Sequence, residues 1–308
     1  MQVYEDLIYI NRASLAFGFF DGVHPGHKAV LNNAVKTARE NNVQSAVITF
    51  KTHPLNFLSK NPPKMILTLE ERLEKIEETG IDNVFLLDFR KYASMKAEDY
   101  LKNVIVKYFS PIAASAGYNH SFGADKEGNS CFLKKYAEKY GFKYYEIPPL
   151  MIGDKAASSS LARNMISLGD FYNVSKLLGY DFFIRGRVIH GDNIASKLGF
   201  PSANIIYPKN KIEIPFGVYY TRVKISNTDK EYDGILNYGS SFRYNINKIK
   251  TEVHIIDFSG DIYGENIQIS FIAKIRNLMN FENTEKLKQQ LSRDKAFAGI
   301  YGRFAFKN

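Results

Sequence analysis

Two histidines three residues apart, His24 and His27, stand in the stretch Leu15-Ala16-Phe17-Gly18-Phe19-Phe20-Asp21-Gly22-Val23-His24-Pro25-Gly26-His27. Neutral or protonated imidazoles so placed can donate to a phosphate whose charge grows during reaction. Gly18 and Gly22 lack a Cβ, so the backbone between strand and helix can turn sharply and approach a ligand closely. A second polar group follows at Ser158-Ser159-Ser160-Leu161-Ala162-Arg163. Serine hydroxyls at a helix start cap free N–H groups, and the same geometry accepts a phosphate. Arg163, one turn on, carries a planar fork of donors suited to the same anion.

These groups need a frame. Val30, Leu31, Ala34, Val35 and Ala38 form a stripe that predicts a helix over Lys28–Asn41 with one buried face. Its N-terminus falls at the glycine turn, where unpaired N–H groups and the helix dipole favour an anion. Apolar runs at Leu15–Phe19, Ser45–Phe50, Val84–Asp88, Ile112–Gly117 and Tyr144–Ile147 alternate with amphipathic stretches at Lys28–Asn41, Leu69–Thr79, Lys96–Tyr108 and Cys131–Tyr140. That alternation predicts a doubly wound α/β domain with a parallel sheet, whose ligands bind beyond the strand C-termini. After Phe182 the pattern becomes strand-like, at Phe182–Ile189, Gly217–Ile225, Tyr232–Asn237, Thr251–Phe258 and Asn266–Phe271, with one closing helix over Thr284–Leu291. An antiparallel β-barrel with a C-terminal helix is expected there. The boundaries expected are 1–167 for the first domain, 168–181 for a linker and 182–308 for the second.

The 308 residues suit two domains, each with its own core. The single cysteine, Cys131, excludes an internal disulfide framework and points to a reducing cytoplasm. No apolar run reaches the ~18 residues of a membrane span, so no membrane partner is expected. The net charge of +9 is spread over dispersed lysines, which gives no nucleic-acid footprint and fits anionic substrates.

Gly18-x-Phe20-Asp21-Gly22-Val23-His24-x-Gly26-His27 resembles the nucleotidyltransferase motif of the bifunctional riboflavin kinase/FAD synthetase family, in which the His-x-Gly-His pair binds ATP phosphates. Phe50-Lys51-Thr52-His53-Pro54 resembles that family's Phe-x-Pro-His-Pro loop. Gly117-Tyr118-Asn119-His120-Ser121-Phe122-Gly123 is similar to its Gly-x-Asp/Asn-Phe-x-Phe-Gly segment, with His120 in place of phenylalanine. The serine-arginine segment resembles its Ser-Ser-Thr-x-Ile-Arg motif. Further on, Gly186-x-Val188-x-His190-Gly191, Leu198-Gly199-Phe200-Pro201-Ser202-Ala203-Asn204 and Pro215-x-Gly217-Val218-Tyr219 resemble the riboflavin kinase signature. The resemblance implies an FMN adenylyltransferase (nucleotidyltransferase) domain followed by a riboflavin kinase domain. Riboflavin and ATP would give FMN, and FMN and ATP would give FAD and pyrophosphate.

By the same resemblance His24, His27, Arg163 and Glu252 are the catalytic residues, Glu252 as the base that takes the proton from the ribityl hydroxyl. Gly18, Phe19, Phe20, Asp21, Gly22, Gly26, Asn119, Ser159, Ser160, Gly191 and Pro201 are the implied nucleotide- and flavin-binding positions. Ser202 and Asn204 are the implied Mg²⁺ ligands, hard oxygen donors that would act with substrate phosphates. Two departures touch the second domain: Ala195-Ser196 replaces the family's Gly-Arg, and Asn237-Tyr238-Gly239-Ser240-Ser241-Phe242 replaces its Asn-Ile-Gly-x-x-Pro-Thr-Phe. Two alternatives therefore stand beside the bifunctional enzyme. One is an FAD synthetase whose barrel only binds flavin; the other is a flavin-responsive binding protein without turnover.

Overall fold

A computed structural model describes residues 1–191, 198–226, 228, 230–240 and 249–305. The chain forms two compact units, Met1–Ala162 and Arg163–Asn308. Ala195-Ser196 and Ser241-Phe242 lie outside the described residues.

The first unit runs β1 (Gln2–Tyr4), β2 (Ala13–Phe17), α1 (Pro25–Glu40), β3 (Gln44–Phe50), α2 (Leu55–Leu58), α3 (Leu69–Glu77), β4 (Asn83–Leu87), α4 (Ala97–Tyr100), a π-helical stretch (Leu101–Val106), α5 (Lys107–Phe109), β5 (Ala113–Gly117), α6 (Ser130–Tyr140) and β6 (Lys143–Ile147). A small hairpin, β7 (Met151–Ile152) and β8 (Lys155–Ala156), then leads into α7 (Ser159–Leu168). The sheet order is β1-β4-β3-β2-β5-β6 and every pairing is parallel. From β2 the chain winds outward through β3 and β4, then returns to place β5 on the other side of β2. The direction of winding thus reverses at β2 and β5, the crevice where open α/β sheets bind ligands. β2 is buried along its whole length, as a strand covered on both faces must be.

Two of the boundaries that differ from those predicted bear on the turn. β2 ends at Phe17 rather than Phe19, and α1 begins at Pro25 because His24 caps it. β1 was not foreseen, since three residues carry no readable period.

The second unit contains α8 (Phe171–Leu178), β9 (Phe183–Ile189), β10 (Ala203–Ile205), β11 (Gly217–Ile225), β12 (Glu231–Ser240), β13 (Ile249–Ile255), β14 (Asn266–Arg276) and α9 (Thr284–Ala305). The strands close a barrel in the order β10-β13-β12-β11-β14-β9. Phe171 of α8 stacks on Phe182 and Phe271 and meets Tyr219 edge-on, so this helix contributes to the second unit's core. Five of these strands match predicted ones; β10 is the sixth. α9 runs well past Leu291 and is fastened to β14 by Asp294. That carboxylate, 1% exposed, accepts from Arg276 Nε at 3.0 Å and Nη2 at 2.8 Å, and from Gln290. Asp294→Ala leaves the arginine uncompensated, so a loss of about 3–5 kcal/mol is expected in denaturant unfolding. An unchanged midpoint would show that α9 needs no such tether. Among the described residues no helix is long and apolar enough to cross a membrane.

Candidate functional site

The turn between β2 and α1 is held in a conformation that its side chains resist. Phe20 and Val23 are non-glycine residues with φ of 61° and 33°, beside Gly22 at 79°. Such backbone costs on the order of 1–3 kcal/mol per residue and persists where neighbours over-determine it. Here the buried Asp21 carboxylate accepts from the N–H groups of Ile66 and Leu67 at 3.1 and 3.2 Å. Asp21's own carbonyl accepts from Ser159 Oγ at 2.8 Å. Phe20, 1% exposed, lies with its ring under Gly18, where an added Cβ would stand 2.8 Å from it.

Out of this turn rise the two histidines. His24 caps α1, its Nδ1 accepting from the His27 N–H at 3.3 Å. The cap fixes the tautomer: with Nδ1 accepting, the proton sits on Nε2, which is left as a donor. The two rings stack at 3.7 Å, and Phe20 meets His27 edge-on at 5.4 Å. Gly26 is confined by His24 alone of the two, for a Cβ there would sit 3.2 Å from its Nδ1. Burial lowers the His24 pKa from 6.5 to about 4, so the imidazole is neutral at pH 7. The turn therefore offers a neutral N–H donor and a helix N-terminus to an anion.

The other residues predicted to act with the two histidines are placed as follows. Asn119, exposed, lies just beyond β5, the strand paired with β2 through Phe17 and Ala116. Its neighbour His120 takes the place of a phenylalanine in packing as well as in sequence, stacking on Phe17 at 5.7 Å and Phe122 at 5.8 Å. Ser158 caps α7 by accepting from the Leu161 N–H at 3.2 Å; Ser159 is bound to the turn as described, and Ser160 is exposed. Arg163, half-buried, follows Ser159 by one turn of the same helix.

His120, like His24, is held at a pKa of about 4 by burial. Both groups protonate near 6.5 when unfolded, so the unfolded chain takes up protons first as pH falls. Their contribution is intact above pH 6.5 and is lost between 6.5 and 4. For His120→Phe we expect a flatter pH profile of thermal unfolding, with the variant gaining on the wild type at pH 5 and not at pH 8. A parallel shift at both pH values would show that packing, not protonation, sets the difference.

Arg72 was not foreseen. It lies 2% exposed on α3, donating to the carbonyls of Phe19 and Phe50. The available signal was an arginine on the inward stripe of an amphipathic helix opened by the Thr68 to Glu71 capping box.

In the barrel the structure brings together residues far apart in sequence. Asn204 of β10 stands directly opposite Glu252 of β13, and Glu252 in turn opposes Asn237 of β12. Directly paired residues project to one face. All three are half-buried, while Thr251, Val253 and Ile255, the alternate positions of β13, are buried. One expectation changes: Glu252 lies mid-strand in β13 (Ile249–Ile255) rather than near the start of a strand beginning at Thr251, while Asn204 is a ladder residue of β10. Gly191 closes on this row, where an added Cβ would be 2.0 Å from Asn204 Nδ2. The Pro201 carbonyl is bonded to His254 Nδ1 at 2.7 Å, which fixes the loop carrying Ser202 to β13. Ser202 precedes β10 and Asn204 lies within it two residues on; both are half-buried, and one carries a hydroxyl and the other an amide oxygen. Such oxygens suit a hard cation that keeps several waters and substrate phosphates as ligands.

Comparison with known proteins gives these relationships. The family model described as FAD synthetase matches residues 9–161, and the one described as riboflavin kinase matches residues 178–301. The bifunctional riboflavin kinase/FMN adenylyltransferase of Buchnera aphidicola subsp. Schizaphis graminum is 37% identical, with 92% of each chain covered. That of Escherichia coli strain K12 is 32% identical, covering 92% of this chain and 91% of its own. A Streptococcus pneumoniae crystal structure described as a macrolide-efflux protein superposes with a TM-score of 0.87 at 28% identity, covering 96% of this chain and 97% of that one.

Proposed function

The chain belongs to the bifunctional riboflavin kinase/FMN adenylyltransferase family, and from that premise we propose how its residues divide two reactions. It phosphorylates riboflavin to FMN with ATP, then transfers the adenylyl group of a second ATP to FMN, releasing pyrophosphate. We assign residues 1–167 to adenylyl transfer and 182–308 to phosphorylation, with 168–181 between them. The observation that carries the two-reaction reading over adenylyl transfer alone is the pairing of Asn204 with Glu252. It supports an intact arrangement of the kinase residues on strands that do not include the substituted Ala195-Ser196 pair.

In the kinase reaction Glu252 accepts the proton of the ribityl hydroxyl as its oxygen bonds to the γ-phosphorus and ADP departs. Ser202 and Asn204 would hold Mg²⁺, which supplies charge neutralisation on the phosphates when bound. Gly191 leaves room for the Asn204 amide, and Pro201, held by His254, orients Ser202. In the adenylyl reaction an FMN phosphate oxygen attacks the α-phosphorus of ATP in line with the departing pyrophosphate. His24 donates from Nε2 and His27 stands beside it at the α1 N-terminus. Asn119, Ser160 and Arg163 complete the nucleotide contacts, and Ser159 holds the turn through Asp21. The thiol of Cys131 is free, which fits the cytoplasm, where ATP is supplied.

One assay tests this reading. Purified protein is incubated with riboflavin or with FMN, ATP and Mg²⁺, and flavins are resolved by chromatography. FMN and then FAD are expected from riboflavin, and FAD from FMN, all suppressed by chelation of the metal. FAD from FMN with no FMN from riboflavin would leave only adenylyl transfer. No product from either flavin would leave a binding protein.

A further inference from the structure

Arg72 does more than fill space. Its Nη1 donates to the Phe19 carbonyl at 3.0 Å and its Nη2 to the Phe50 carbonyl at 2.7 Å. The guanidinium also lies over the Phe19 ring, 4.1 Å from its centroid. Phe19 follows β2 and Phe50 ends β3, so a single side chain ties together the exits of two adjacent parallel strands. Burial lowers the Arg72 pKa to about 10, with the Asp21 charge opposing the shift, and the group stays a cation at neutral pH.

The geometry has a direct effect on the turn. The Phe19 carbonyl is drawn toward α3 by Arg72 and also accepts from Thr49 Oγ1 at 3.3 Å. Its peptide is trans and planar, so fixing the oxygen turns the Phe20 N–H the opposite way. The residues just before α3, Ile66 and Leu67, meanwhile hold the Asp21 carboxylate. One helix and its entry therefore grip the strained segment on both sides of Phe20. Two carbonyls at the exits of different strands and an aromatic face make three demands that a planar fork meets together; an ammonium has no flat face to offer.

We propose that Arg72 is a positioning residue for adenylyl transfer, fixing the Phe19 and Phe50 carbonyls so that the Gly18–His27 turn keeps its anion-accepting shape beside the Lys51–Pro54 loop. This rests on the reading of that turn as the ATP phosphate site. Arg72 touches no substrate and acts through the turn.

The test compares Arg72→Met, Arg72→Lys and Ile76→Ala in the full chain, with His27→Ala in parallel. Ile76 is a buried residue of the same helix with no part in the grip. Misplacement by about 1 Å costs up to about 10²-fold. Arg72→Met is accordingly expected to lower kcat for FAD formation by about 10²-fold and to raise KM for ATP, with riboflavin phosphorylation unchanged. Arg72→Lys, which keeps charge and donors but no plane, should recover part of that loss. Ile76→Ala should lower the melting temperature and leave kcat within about twofold. If Arg72→Met does not fold, Arg72→Gln replaces it under the same criteria. The proposal is overturned if kcat of the neutral variant stays within about twofold of wild type, if Ile76→Ala loses as much, or if lysine restores nothing. Retention of FAD formation by His27→Ala would instead overturn the phosphate-turn reading itself.

Discussion

His27→Ala is expected to abolish FAD formation and spare FMN formation in the same preparation. The imidazole stacks on His24 at 3.7 Å and is supported edge-on by Phe20. Under the proposed assignment its removal deletes one donor to the phosphates and the platform that steadies the other. Loss of a single donor to a developing anion costs about 10²–10³-fold, and the freed His24 ring adds to it. The helix itself should survive. The cap is made by the backbone N–H of residue 27, which alanine retains, and the buried stripe Val30, Leu31, Ala34 and Ala38 is untouched. FMN formation from riboflavin serves as the internal control, because the residues assigned to it belong to the other compact unit. FAD formation within tenfold of wild type would remove His27 from the chemistry.

Glu252→Gln should do the reverse. Glutamine keeps the size and the place opposite Asn204 and Asn237, so the β10-β13-β12 ladder has no reason to change. What is lost is a carboxylate able to take a proton. A positioned base contributes about 10²–10⁴-fold, and phosphorylation of riboflavin should fall by that order with little change in KM for ATP. FAD formation from supplied FMN should be unaffected. If phosphorylation persists at near wild-type rate, positioning and charge neutralisation carry the reaction without Glu252. If both activities vanish in a folded variant, the assignment of one reaction to each unit is wrong.

How much of this was legible in the sequence follows from the range of the forces involved. α1 could be read from its apolar stripe and the parallel sheet from the alternation of strands and helices, because those signals repeat along the chain. Its true start at Pro25 depends on a cap donated by His27 to His24, which no periodicity encodes. β10 escaped because Ala203–Ile205 offers three residues and gains its identity from partners on β9 and β13. Glu252 was identified by resemblance, yet its mid-strand place beside two asparagines is a matter of register. Arg72 was hidden for another reason: a buried charge is uncommon, and only the two inward-facing carbonyls explain it.

The bond from Ser159 Oγ to the Asp21 carbonyl spans 138 residues of chain. During synthesis the N-terminal sheet strands leave the ribosome well before Ser159 does, at ~5–20 residues per second. A nascent chain that ends short of α7 thus carries both histidines while the turn beside them is still missing one of its fastenings. If the turn binds nucleotide as proposed, competence for it is conferred late, by the last segment of the unit to be made, and not by the motif that first announces it.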